Sequence, residues 1–252
     1  MLALIGGSGF TNDDVIENRR EIVMETPWGQ PSAPVIEGTL RGTPILFLRR
    51  HGVKHEFAPH CVPSRANLWA LKELGVSGVI AVGTVGGIAS DMGPGRIAVP
   101  DQLIDYTWGR EVSYYDDFGK FGMKHVDMTW PFDRALSRAL LDAADRLNKD
   151  VRREGVYACT QGPRLETAAE VRRMQRDGAD MIGMTLYPEC ALAREIDLPY
   201  AGICVSVNHA AGMGDCADEI DFASLESSLQ KAVSGVVDIV AEAIKELNRF
   251  HA

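Results

Sequence analysis

Met1-Leu2-Ala3-Leu4-Ile5-Gly6-Gly7-Ser8-Gly9 opens the chain with an apolar run that passes straight into a glycine-rich turn. A short apolar run bounded by glycines reads as a strand buried on both faces, the kind found in parallel sheets. The same punctuation returns downstream. Residues 44–48 form an apolar run that ends in Arg49-Arg50-His51, and residues 77–82 one that ends in Gly83-Thr84-Val85-Gly86-Gly87. Further strands are expected at 155–160, 181–185 and 200–207. Between them lie helical patterns at 64–74, where Leu68, Trp69 and Leu71 recur at turn spacing, at 135–148, and at 167–177 with Gly178 as C-cap. A further helix starts at 190–195. Residues 224–249 read as a long amphipathic helix with Ser224 as N-cap. The alternation predicts an α/β fold over residues 1–252: a single domain with a mainly parallel mixed sheet flanked by helices on both faces. In such sheets ligands collect at the carboxyl ends of strands, and the chemistry-bearing motifs sit at those ends.

Composition narrows the class. A chain of 252 residues, 46% hydrophobic, can bury a full core. No run of about 18 apolar residues occurs, so no membrane span is expected. Residues 1–5 read as a buried strand rather than a signal peptide, and a cytoplasmic protein is expected. A net charge of -9 argues against a general nucleic-acid binder but leaves room for a locally built anion site. The five cysteines, Cys61, Cys159, Cys190, Cys204 and Cys216, show no C-x-x-C spacing. They imply neither a metal site nor a disulfide framework, and most read as small buried apolar residues.

Four strand ends carry groups suited to a tetrahedral oxyanion. Gly6-Gly7-Ser8-Gly9 can offer amides and a hydroxyl, or can simply be a tight turn. It lacks the third glycine of a dinucleotide fingerprint, which counts against a cofactor-binding module. Arg50 and His51 are cationic-capable, and at a strand end they need solvent or a partner. Gly83, Thr84 and Thr185 complete the set. Taken alone, Glu166 reads as a helix-dipole partner, Met184 as core and His125 as a surface histidine.

Several longer stretches point further: Thr160-Gln161-Gly162-Pro163-Arg164-Leu165-Glu166-Thr167, Gly183-Met184-Thr185-Leu186-Tyr187-Pro188-Glu189, Leu48-Arg49-Arg50-His51-Gly52, Thr26-Pro27-Trp28-Gly29-Gln30-Pro31-Ser32 and Asn67-Leu68-Trp69-Ala70-Leu71-Lys72. Together they resemble the trimeric purine nucleoside phosphorylase and methylthioadenosine phosphorylase family over nearly the whole chain. The resemblance implies cleavage of a purine nucleoside by inorganic phosphate as co-substrate, with no cofactor and no metal, in a homotrimer. It implies that Ser8, Arg50, His51, Gly83, Thr84 and Thr185 bind phosphate. Leu165, Glu166, Gly183, Met184 and Asn208 would bind the nucleoside, and Glu166, Asn208 and His51 would be catalytic. At the sugar end it implies Phe222 and Leu225, with His125 reaching in from a neighbouring subunit.

The purine is read from two positions. The 6-oxopurine branch of the family carries glutamate at the place of Glu166 and asparagine at that of Asn208. The 6-aminopurine branch carries serine and aspartate, with a second aspartate where this chain has Ala210. A 6-oxopurine presents an N1–H donor and an O6 acceptor, which suits a carboxylate and a carboxamide. An unmatched buried polar pair costs about 1–3 kcal/mol. Val207 departs from the threonine common in both branches. His125 matches the methylthio branch, and Phe222 offers an apolar ring to a thioether rather than an acceptor to a hydroxyl. The expected substrate is S-methyl-5'-thioinosine; the alternatives are methylthioadenosine, or inosine and guanosine.

Overall fold

The structure, a computed structural model, describes residues 1–7, 15–220 and 222–249, the side chains of 222–232 and 249 excepted. The order is β1 (Leu2–Gly6), β2 (Ile16–Ile22), β3 (Val35–Leu40), β4 (Thr43–Arg49), α1 (Ser64–Glu73), β5 (Val79–Gly87), β6 (Ile97–Ala98), β7 (Gln102–Asp105), α2 (Phe118–Phe121), α3 (Arg134–Arg146), β8 (Val151–Arg152), β9 (Val156–Cys159), α4 (Ala168–Arg176), β10 (Met181–Gly183), α5 (Leu186–Glu195), β11 (Tyr200–His209) and α6 (Phe222–Arg249). Among the described residues all eleven strands join one mixed sheet.

Alternation along each strand explains the layers. Leu4, Phe47, Ile80 and Ile203 pack against α3 and α6 on one face. Ala3, Ile5, Leu46, Leu48 and Ala81 pack against α1 and α5 on the other. A strand covered on both faces must be apolar at every position, which is why β1 reads as an unbroken run. Each such Leu, Ile or Phe contributes about 1.5–3 kcal/mol relative to exposure.

One feature of the sheet positions the site. β11 pairs along the whole length of β5, from Val79 to Gly87. The other edge of β5 is shared. β1 runs parallel to it at Val79–Ala81, and β10 runs antiparallel at Gly86–Gly87. The carboxyl ends of β1 and β10 therefore approach each other across Val82–Val85, where that edge has neither strand.

Two expectations need correction, and one strand was not anticipated. α5 begins at Leu186, before residue 190, with a non-helical Tyr187 inside it. α6 starts at Phe222, so Ser224 lies within the helix and is not its N-cap. β2, with the exposed polar sequence IENRREI, gave no strand signal because it pairs only at the edge of the sheet. The C-cap expectation fits: Gly178 follows α4 at φ +94°, a conformation that suits glycine. Cys159, Cys190, Cys204 and Cys216 are buried, Cys61 is exposed, and all five are free.

Candidate active site

The gap on β5 opens into a cavity of about 470 Å³. Gly7, Arg50, His51, Gly83, Thr84, Leu165, Glu166, Gly183, Met184, Thr185, Val207 and Asn208 all line it. Residues expected from six separate stretches thus meet in one place. Ser8 lies outside the described residues, as do the side chains of Phe222 and Leu225. His125 is exposed and is not part of this chain's cavity wall.

Arg50 follows β4 and is 1% exposed. It is not a free cation awaiting an anion. Its Nε and Nη2 donate to the two oxygens of Glu189 at 2.6 and 3.0 Å, and Nη1 donates to the Val82 carbonyl at 2.7 Å. A guanidinium has five N–H groups, so two remain for a ligand. Burial alone would depress its pKa, but the bonded charge of Glu189 overrides that and raises it above the ordinary value. Glu189, fully buried, also accepts from the Tyr200 hydroxyl at 2.6 Å. Gly7 is glycine because a Cβ there would stand 2.6 Å from Arg50 Nη1.

His51, cationic-capable in sequence, is not a second cation in the fold. Burial pushes its pKa down to about 4; a hydrogen bond to the Phe57 carbonyl opposes the shift, and Arg50 and His55 add to it. At neutral pH the ring is uncharged. Nδ1 lies 2.8 Å from the Phe57 oxygen, which can only accept, so Nδ1 carries the proton and Nε2 keeps a lone pair. His55 stacks on the ring with centroids 4.6 Å apart.

On the opposite side, Thr185 gives its amide N–H to the Tyr157 hydroxyl at 3.2 Å. Its own hydroxyl is what it can offer a ligand. Met184 sits under Gly162, whose φ is +63° and whose added Cβ would meet the Met184 sulfur at 2.6 Å. Glu166 precedes α4, whose N-cap is Thr167 in a capping box with Glu170. Glu166 is therefore not the cap; it accepts from the Thr160 hydroxyl at 2.5 Å.

A register shift between Ser206 and Asn208 in β11 marks a bulge. Strict alternation would send Val207 and Asn208 to opposite faces; the bulge brings both to the cavity wall. Asn208 Nδ2 donates to the His209 carbonyl at 2.6 Å, which fixes the orientation of its amide.

Sequence reading missed several contributors. Glu189, itself bonded to Tyr200, holds Arg50 across a long stretch of chain, and Thr160 holds Glu166. The segment from His55 to Pro59 closes one wall; its mixed composition carries no motif. Among the described residues, no group of three or more His, Cys, Asp or Glu side chains could hold a metal ion, and no helix is long and apolar enough to cross a membrane.

Residues 1–245 match the family model of the phosphorylase superfamily. The chain is 43% identical to a probable S-methyl-5'-thioinosine phosphorylase of Xanthomonas campestris pv. campestris, over 96% of each chain. It is 39% identical to a 6-oxopurine nucleoside phosphorylase of Pyrococcus furiosus, over 96% of this chain and 91% of that one. In structure it resembles the methylthioadenosine phosphorylase of Schistosoma mansoni in complex with adenine. The TM-score is 0.91 at 30% identity, covering 98% of this chain and 92% of the other.

Proposed function

The chain belongs to the phosphorylase superfamily, and on that premise we propose that it cleaves S-methyl-5'-thioinosine with inorganic phosphate, giving hypoxanthine and 5-methylthioribose 1-phosphate. It is an enzyme of purine salvage of the nucleoside phosphorylase type. One observation carries the choice of substrate: Glu166 and Asn208 line the same cavity as Arg50, His51, Thr84 and Thr185. A carboxylate and a carboxamide on one wall suit the N1–H and the O6 or N7 of a 6-oxopurine. The name and the identity of the Xanthomonas relative support the same substrate.

In this reading Ser8, Gly83, Thr84, Thr185 and the two remaining N–H groups of Arg50 hold phosphate below the sugar. Met184 and Gly183 lie under the ribose, and Leu165, Phe222 and Leu225 shape the rest of the nucleoside site. The bond from the anomeric carbon to N9 breaks ahead of bond formation to a phosphate oxygen. The electron pair leaves on the base, where Asn208 donates to O6 or N7 and Glu166 accepts from N1–H. Hydrogen phosphate loses one proton and the base gains one, so the reaction balances. His51, neutral with a free Nε2, is suited to accept the hydrogen bond of the protonated phosphate oxygen. Catalysis is then positioning and electrostatic stabilisation, without a covalent enzyme intermediate. No cofactor or metal is invoked; phosphate is the co-substrate.

We place the reaction in one domain of a cytoplasmic homotrimer in which His125 completes a neighbour's site. What supports the assembly is the exposure of large apolar side chains in the same stretch of chain: Phe118, Met123 and Trp130 are 52, 68 and 41% exposed. A fully active monomer at assay concentration would refute it.

The deciding experiment compares initial rates on methylthioinosine, methylthioadenosine and inosine, with and without phosphate. Expected is phosphate-dependent release of base, with kcat/KM for methylthioinosine at least roughly tenfold above methylthioadenosine, a difference of about 1.4 kcal/mol. Equal or greater efficiency on methylthioadenosine rejects the 6-oxopurine reading; a preference for inosine rejects the thioether.

A further inference from the structure

We propose that Thr160 is a positioning residue for base choice: held from behind by Arg110, its hydroxyl sets the Glu166 carboxylate in the cavity wall. The proposal rests on the reading of Glu166 as the acceptor for a purine N1–H.

Glu166 lies on the loop between β9 and α4 and is partly exposed. It stands between two cavities. One is the site above; the other, of about 180 Å³, is lined by Trp108, Gln161, Arg164 and Arg173 as well as Glu166. The two arginines on that side have carboxylate partners of their own: Arg164 is bonded to Glu170 at 2.7 Å, and Arg173 lies 3.8 Å from Asp177. Thr160, 6% exposed at the end of β9, lines that second cavity too and holds the carboxylate from that side. A hydroxyl has one proton. The Glu166 oxygen at 2.5 Å takes it, in preference to the Gly183 carbonyl at 3.4 Å. With Oε1 engaged, Oε2 is left to accept from the base.

Thr160 is itself fixed. Its N–H donates to the Gly183 carbonyl at 2.9 Å, and its carbonyl accepts from Arg110 Nη2 at 2.9 Å. Arg110, in the segment after β7, spends all five N–H groups on carbonyl oxygens. Nη2 also reaches the Gln161 carbonyl, Nε the Gln161 side chain, and Nη1 the carbonyls of Met184 and Tyr187 at 2.9 and 2.8 Å. One guanidinium thus ties the strand end that carries Thr160 to the turn that carries Met184 and Thr185. The Thr160 end of the hydrogen bond to Glu166 is thereby fixed by the backbone.

The test uses Thr160→Val, which keeps the branched shape and removes the donor, and Thr160→Ser, which keeps the donor. Dissociation constants for hypoxanthine and adenine are measured by calorimetry in saturating phosphate. Thr160→Val is expected to weaken hypoxanthine by roughly tenfold or more, the scale of one charge-assisted hydrogen bond. Adenine affinity should change by less than about twofold, and Thr160→Ser should match wild type for both bases within the same margin. If Thr160→Val does not fold by circular dichroism, Thr160→Ala is read by the same ratio. Unchanged hypoxanthine affinity without the donor, or an equal loss for both bases, overturns the proposal. Failure of the Glu166 reading shows separately, as wild type binding adenine at least as tightly as hypoxanthine. The ratio of variant to wild type for hypoxanthine still decides the role of Thr160.

Discussion

Glu189 matters more to this site than its silence in the sequence suggests. It is fully buried and bonded to both Arg50 and Tyr200. Removing one partner of a buried pair strands the other charge, at a cost of about 3–5 kcal/mol. Glu189→Gln is therefore expected to lower unfolding free energy on that scale in denaturant titration and to weaken phosphate saturation through a misplaced Arg50. Near-wild-type stability would mean that the guanidinium finds another acceptor. His51 makes a pH-dependent contribution. Its folded pKa lies near 4, below the ordinary 6.5. Above pH 6.5 the folded and unfolded chains both hold it neutral, and its contribution is fully present. As pH falls from 6.5 to about 4, the unfolded chain takes up a proton that the folded chain refuses, and stability is lost. His51→Gln should flatten the melting temperature across that window, read by calorimetry at several pH values; an unchanged slope would assign the acid sensitivity elsewhere. These residues differ in legibility for a physical reason. Asn208 and Thr185 stood out because they sit at or near strand ends, and Glu166 because it ends a recognisable motif just before α4. The partner of Arg50 lies 139 residues away, and Arg110 acts on carbonyl oxygens, which every residue possesses.

At the scale of elements, the chain was readable where burial is two-sided. β1, β4, β5 and β11 are apolar along their buried lengths, and α1, α3 and α4 carry clean periodic stripes. β2 was unreadable because an edge strand facing solvent has no apolar face to display. The start of α5 was hidden by the non-helical Tyr187 and by Pro188. The bulge in β11 could not be read either, since it is a property of pairing with β5 and not of local composition. α4 offers a test of how local structure supports the site. Its N-cap, Thr167, directly follows Glu166 and forms a reciprocal capping box with Glu170. Thr167→Ala should cost about 0.5–2 kcal/mol of stability. Because the loss falls on the helix and not on the cavity, KM for phosphate should not move. A large change in phosphate KM would show that the cap and the cavity are mechanically joined.

At the scale of the molecule, the expected mainly parallel mixed sheet with helices on both faces is what forms, and its purpose is visible in the gap on β5. Arg50 and His51 stand on the bank formed by β1 and β4. Glu166, Met184 and Thr185 stand on the bank formed by β9 and β10. The shared spine joins the banks, and across Val82–Val85 no strand bridges them. On the proposed reading phosphate would span the banks, between Arg50 on one and Thr185 on the other, with the purine toward Glu166 and Asn208. On that reading, whichever arrives first would hold the banks in place and spare the second part of the ordering cost. Linkage makes such help mutual: hypoxanthine should tighten phosphate by the same factor by which phosphate tightens hypoxanthine. Titrating each with and without the other measures both factors, and independence of the two would mean that the banks are already rigid. On that reading, a fork in a sheet would let two small molecules sense each other's presence.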